Sequence, residues 1–171
     1  MTDRAKVERL AGSGPFQQHP ALARYVQCFL ETFLVEGRLD PRLRELTILR
    51  IAWRCRQPFE WASHHRVARR IGMSDDDILA VRVGPGDARF GPAERVVLTA
   101  ADEVVDLGRI SEGTYAGCLQ AFGGADDVAL EFLHLAASYR MMATILSTTQ
   151  PSSADAGLTP WPPDGVGPDP A

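Results

Sequence analysis

Residues 40–53 read Asp40-Pro41-Arg42-Leu43-Arg44-Glu45-Leu46-Thr47-Ile48-Leu49-Arg50-Ile51-Ala52-Trp53. An aspartate followed by proline is a helix start, with a capping side chain and a proline at the first helical position. Beyond it, Leu43, Leu46, Ile48, Leu49, Ile51, Ala52 and Trp53 are apolar almost all the way round the helix. Such a helix belongs in the middle of a bundle rather than on its surface. Glu45 and Arg50 interrupt that run. A buried acid is costly unless it is paired or functional. Arg42, three residues earlier, is one candidate partner for Glu45. Arg50 reads either as the partner of a buried ion or as an anion clamp for a substrate carboxylate.

The flanking sequence has the same helical character. Pro20 opens a pattern in which Leu22, Tyr25, Val26, Phe29, Leu30 and Phe33 recur at helical spacing, and Gly37 stops it. Pro58 starts a helix to about Ile71, with Gly72 after it, and Ser74 followed by Asp75, Asp76 and Asp77 starts another. Gly84-Pro85-Gly86 is a break. Helical spacing returns from Pro92 to Leu107, from Ser111 to Gly123, and from Asp126 through Ile145. No segment alternates long enough to read as a strand. The sequence therefore predicts an all-α fold of about six to seven helices. It divides into an N-terminal extension (1–19), a helical domain (20–149) and a proline-rich tail (150–171). Half of the 12 prolines fall in that tail, which has no helix or strand pattern and reads as disordered or extended on a neighbour. Trp161 is its one candidate anchor.

Composition narrows the function. A net charge of −4 argues against nucleic acid as a partner, which usually requires a basic face. Arg66, Arg69 and Arg70 read as solvated helix surface. No stretch reaches the roughly 18 apolar residues of a membrane span, and Met1 to Leu10 lacks the apolar run of a signal peptide. Cys28, Cys55 and Cys118 are widely spaced, with no CxxC pair and no zinc-type cluster. Reduced, mostly buried thiols in a cytoplasmic protein are the reading preferred. No metal or organic cofactor is required.

The segment Glu60-Trp61-Ala62-Ser63-His64 carries the candidate chemistry. A spacing of four puts Glu60 and His64 on one helical face, one turn apart. A carboxylate beside an imidazole is a proton-transfer unit: the acid holds one ring nitrogen and the other exchanges a proton near neutral pH. With Gln57 as cap and Pro58 as first residue, Glu60 is the third. There the helix dipole favours its ionised form and burial opposes it. A glutamate at that position is also a common capping residue, and such pairs commonly decorate surfaces. His65 points about 100° away round the helix.

These residues resemble the carboxymuconolactone decarboxylase and alkylhydroperoxidase D-like superfamily. The likeness runs through Arg42-Leu43-Arg44-Glu45-Leu46, Phe59-Glu60-Trp61-Ala62-Ser63-His64 and Ala68-Arg69-Arg70-Ile71-Gly72-Met73-Ser74. In the second half it continues in Glu94-Arg95, Ala100-Ala101-Asp102-Glu103, Gly108-Arg109-Ile110-Ser111 and Tyr139-Arg140-Met141. The resemblance covers about Leu39 to Thr149. It implies an alkylhydroperoxidase D-like helical bundle that assembles as homo-dimers, trimers or hexamers, with sites near subunit contacts. The peroxidase branch carries a CxxC pair before its histidine and an upstream glutamate in a proton relay. Here Gln57 and Glu60 stand where those cysteines would be, and Cys55 is two residues too early. The decarboxylase branch carries Glu-x-x-x-His, matched at Glu60 and His64, while Glu45 matches the upstream acid of both branches. Relatives of this type often have histidine where Arg140 stands.

The resemblance and the residues together suggest a decarboxylase-like enzyme acting on a small lactone or oxo acid. In that reading His64 gives or takes the proton, Glu60 orients it and Glu45 is a second relay. Arg50, Trp61, Tyr139 and Arg140 bind substrate, with Arg50 or Arg140 holding a carboxylate. The alternatives are a thiol peroxidase, disfavoured by the missing cysteine pair, and a non-catalytic oligomeric binding protein.

Overall fold

The computed structural model describes Phe16 and residues 18–151, 157–158, 162 and 164–167. Among these, seven helices and no strand are present: α1 (Pro20–Leu34), α2 (Pro41–Arg54), α3 (Pro58–Arg70), α4 (Asp75–Ala80), α5 (Pro92–Leu107), α6 (Glu112–Ala121) and α7 (Asp126–Thr149). Trp161, the residue expected to anchor the tail, lies outside the described residues.

The capping chemistry acts where the sequence placed it. Asp40 accepts from the amides of Arg42 and Leu43, Ser74 from Asp77 and Ser111 from Thr114. Four of the seven helices begin with proline, which fixes φ and forfeits no helical hydrogen bond there. The α5 helix ends on Gly108 at φ 67°, a left-handed conformation in which a Cβ would be strained.

Every residue of α2 from Leu43 to Ala52 is buried. The helix packs against α3, α5 and α7. Its two faces feed two clusters. Leu43, Ile48 and Ile51 join Val26, Phe29 and Phe33 of α1, Val97 and Ala101 of α5, and Phe132, Leu135 and Tyr139 of α7. Leu46, Leu49 and Ala52 join Trp61 and Ala68 of α3, Ile78 of α4 and Leu98 of α5. This is why its sequence is apolar all round: no side of it faces water.

Polar ties lock the frame. The Glu131 carboxylate on α7 accepts from the amides of Arg38 and Leu39 at 2.9 and 3.2 Å, fixing the loop that enters α2. Arg42 spans from α2 to Glu94 of α5 (2.6 Å) and Asp77 of α4 (3.0 Å). The described part of the tail lies on its own chain. Arg82 donates to Asp164 (2.9 Å) and to the Val166 carbonyl (2.9 Å), with its guanidinium 5.5 Å from the Trp53 ring.

Candidate functional site

Gln57 caps the start of α3, its side-chain oxygen accepting from the Phe59 amide at 2.8 Å. Glu60 is thus the third helical residue, as expected. It does not cap the helix. The Gln57 backbone N–H, which a capping glutamate would bind, already donates to the Ala52 carbonyl at 2.8 Å. Glu60 instead lines a cavity of about 80 Å³. Phe29 and Leu30 of α1, Phe59 and Val67 of α3, and Met142 and Leu146 of α7 give it an apolar wall. The polar groups on that wall are Glu60, Ser63, His64 and Tyr139.

His64 lies one turn beyond Glu60, and its Nδ1 is 2.8 Å from Oε2 of Glu45. Glu45 is fully buried and also accepts from Nε of Arg44 at 2.9 Å. Burial pushes the Glu45 carboxyl up, but the charges and hydrogen bonds of His64 and Arg44 outweigh it and hold the group below its ordinary range. An ionised Glu45 accepts a proton-bearing Nδ1, so Nε2 is the ring nitrogen left to work with. Glu60 is the opposite case. Burial pushes its carboxyl well above the ordinary range, and its Oε2 is buried without a hydrogen-bond partner. The contest between helix dipole and burial goes to burial. Two carboxyls beside one imidazole are therefore pushed in opposite directions, the pattern that separates an acid and an ion into different tasks.

Tyr139 of α7 closes the third side. Its ring meets His64 edge-on, with centroids 5.1 Å apart and planes at 85°. Its hydroxyl is buried and unpartnered. Burial raises its pKa well above the usual value, with Glu45 and Glu60 adding to the rise, so it stays a hydrogen-bond donor.

Several expected roles fall differently. Glu60 makes no hydrogen bond to His64; Glu45 orients that ring, because α2 and α3 pack face to face and bring the upstream acid closer than one helical turn does. The partner of Glu45 is Arg44 rather than Arg42. The long Arg44 side chain folds back to its neighbour and also donates to the Phe33 carbonyl at 3.2 Å. Arg50 is a buried-ion partner and not a clamp in this cavity. Its guanidinium forks onto Asp102 at 2.7 and 3.0 Å and donates to the carbonyls of Val81 and Arg82. Trp61 is fully buried in the second cluster, tilted on Trp53 with centroids 5.3 Å apart, and does not line the cavity. Arg140 points away from it, donating to Thr144 at 2.9 Å and lining a separate open groove with Tyr25, His134 and Met141. His65 is 3.1 Å from Asp75. Sequence reading missed Ser63 and the apolar wall from α1. Ser63 had a weak signal, lying between Glu60 and His64; the contribution of α1 had none.

Cys55 is half-buried with its thiol pushed up by burial, and all three cysteines are free. Among the described residues no three His, Cys, Asp or Glu side chains group as metal ligands, and no helix is long and apolar enough to cross a membrane.

An all-α bundle with a buried acid–imidazole pair beside an apolar cavity is the class of protein these features define. The model of the carboxymuconolactone decarboxylase family matches residues 20–103, a span that holds Glu45, Glu60 and His64. That span is 84 of the chain's 171 residues, and over it the chain is similar to that family. The search of curated proteins and the search of solved structures each returned no match. Tyr139 lies beyond the matched residues.

Proposed function

We propose that this protein is a decarboxylase-like enzyme that moves a proton at a carbon next to a carbonyl group, with no thiol in the reaction. His64 carries the proton through Nε2. Glu45 fixes the ring, selects the tautomer and stabilises the imidazolium that forms. Glu60 is a neutral acid that donates a hydrogen bond to substrate. Loss of carbon dioxide from a small lactone or oxo acid is the reaction the family's description suggests. It leaves an enolate that must be held and then protonated, which is work for these groups. Isomerisation through an enolate uses the same parts.

The observation that supports this reading is the 2.8 Å contact between Glu45 and His64 on the wall of an apolar cavity shared with Glu60. A thiol peroxidase is the weaker reading, since the positions that match that branch's cysteines hold Gln57 and Glu60. The protein acts as a homo-oligomer in this proposal. Tyr25, Leu107, Leu130 and Met141 are large apolar side chains exposed on the single chain, and light scattering on the purified protein tests it.

The decisive experiment measures proton exchange with deuterated water, and carbon dioxide release, on a panel of small ketones, lactones and oxo acids. His64→Ala and Glu45→Gln are expected to lower turnover by about 10²-fold or more, the range of a lost acid–base group. Turnover undiminished in His64→Ala defeats the proposal. Ligand binding with no turnover of any kind, unchanged in Glu60→Ala and His64→Ala, favours a non-catalytic binding protein. Peroxide reduction abolished by Cys55→Ser favours the peroxidase.

A further inference from the structure

Among the described residues, the cavity wall includes no lysine or arginine. Both arginines expected to hold a substrate carboxylate are engaged elsewhere, Arg50 by Asp102 and Arg140 by Thr144. Arg44 is spent on Glu45 and the Phe33 carbonyl. A carboxylate entering here would lose its hydration, meet no cation among the described lining residues and approach the buried Glu45 carboxylate, which is an expensive arrangement.

Two polar atoms of cavity-lining residues nonetheless lack partners: Oε2 of Glu60 and the hydroxyl of Tyr139. Both residues are almost wholly buried, at 4% and 2% exposure. Unsatisfied buried groups are costly to keep, so a pair of them beside one cavity marks the place of a missing hydrogen-bond partner. A carboxylic acid and a phenol are both donors. What they lack together is an acceptor oxygen.

We propose that Glu60 and Tyr139 together hold the oxygen of a neutral carbonyl compound, a small ketone or lactone with an apolar body, and stabilise it as an enolate while His64 handles the proton on the adjacent carbon. This rests on the reading of His64 as proton carrier. In the step, Nε2 of His64 takes a proton from the carbon beside the carbonyl. The C–H electron pair becomes the new C=C bond, and the carbonyl π pair moves onto oxygen. That oxygen accepts hydrogen bonds from the Glu60 carboxyl and the Tyr139 hydroxyl. The imidazolium returns its proton to the same or a conjugated carbon, so the cycle is redox-neutral and needs no co-reactant. The arrangement selects against acids, and so, of the two reactions these groups could serve, it favours isomerisation through an enolate over loss of carbon dioxide; the apolar wall of α1 and α7 takes the rest of the molecule.

The test compares 2-pentanone and cyclopentanone with 4-oxopentanoate, following deuterium uptake beside the carbonyl by proton NMR. The neutral ketones are expected to exchange at least about tenfold faster in kcat/KM than the carboxylate. Tyr139→Phe is expected to lower exchange by about 10²-fold, the loss typical of one oxyanion donor. Glu60→Gln keeps a donor and is expected to stay within about tenfold of the parent, while Glu60→Leu loses about 10²-fold or more. In the parent the rate falls as pH rises and Glu60 ionises. That limb is absent in Glu60→Gln, a change a purely structural role would not produce. Circular dichroism checks that each variant is folded. A preference for 4-oxopentanoate, a parental rate in Tyr139→Phe, or no exchange with any neutral ketone overturns the inference. If His64→Ala abolishes turnover in those cases, the proton-transfer reading still stands; if it does not, that reading falls separately.

Discussion

Replacing Arg50 with methionine separates two roles that the sequence left open. The side chain is buried, at 7% exposure, and its fork engages Asp102 through Nε at 2.7 Å and Nη2 at 3.0 Å. Its Nη1 donates to the carbonyls of Val81 and Arg82 at 2.8 and 2.9 Å, joining the end of α4 to α2 and α5. Removing one partner of a buried ion pair costs about 3–5 kcal/mol. Asp102 keeps a second cation, Arg54, at 2.8 Å, which moves the cost toward the lower end of that range. The orphaned carbonyl of Val81, itself fully buried, adds about 1–3 kcal/mol. A net loss of about 4 kcal/mol is expected, a large part of the roughly 5–15 kcal/mol that holds a domain together. In a chain of this size it lowers the melting midpoint by about 8–16 °C. Urea unfolding followed by far-ultraviolet circular dichroism measures it. Arg50→Lys is expected to lose most of the same energy, because a point charge cannot bridge the carboxylate and two carbonyls at once. KM for the eventual substrate is expected to stay at the parental value in the folded fraction. A destabilisation under about 1 kcal/mol, the worth of an exposed pair, refutes the argument. A raised KM with stability intact would restore Arg50 as a substrate clamp.

Glu45 and Glu60 are expected to give opposite pH dependences of stability. Glu45 is held below its ordinary 4.5, so its contribution is present above that value and is lost as pH falls through the folded-state value; acid titration of Glu45→Gln should be flatter below pH 4.5. Glu60 is raised, so its contribution is present at low pH and is lost as pH rises above 4.5; Glu60→Gln should melt higher than the parent in alkaline buffer and alike in acid. Thiol labelling of the native protein should reach exposed Cys28 first. Cys118, buried with its thiol pushed up to about 12, should label only after unfolding. Gly84→Ala should destabilise and loosen the Arg50 fork, since Gly84 has φ +89° and a Cβ there would stand 2.6 Å from the Arg50 guanidinium; thermal melts of Gly84→Ala, alone and with Arg50→Met, should be markedly non-additive.

Local chemistry made the helices legible. Each start at Pro20, Asp40-Pro41, Pro58, Ser74, Pro92, Ser111 and Asp126 depends on residues within one turn, so the chain carries its own punctuation. The placement of α2 at the centre was equally readable, because only a helix surrounded by others is apolar on every side. Glu60 and His64 were found for the same reason: a spacing of four is a local fact.

What pairs with what across helices was not local. Sequence spacing offered Arg42 to Glu45 and Glu60 to His64. Packing gave Glu45 to His64, and Arg42 to Asp77 and Glu94, leaving Glu45 to be bonded within α2 by its neighbour Arg44. Arg50 and Arg140 looked alike as cations near the motif, yet one is sealed against Asp102 and the other faces an open groove. By itself the sequence determined the helices, their order and the residue types capable of passing a proton. Tertiary structure alone decided that the Glu60 carboxyl is pushed up while that of Glu45 is held down, because desolvation and partnering depend on which side chains from α1, α2 and α7 close around each carboxyl. That is a property of distances in space rather than of positions along the chain.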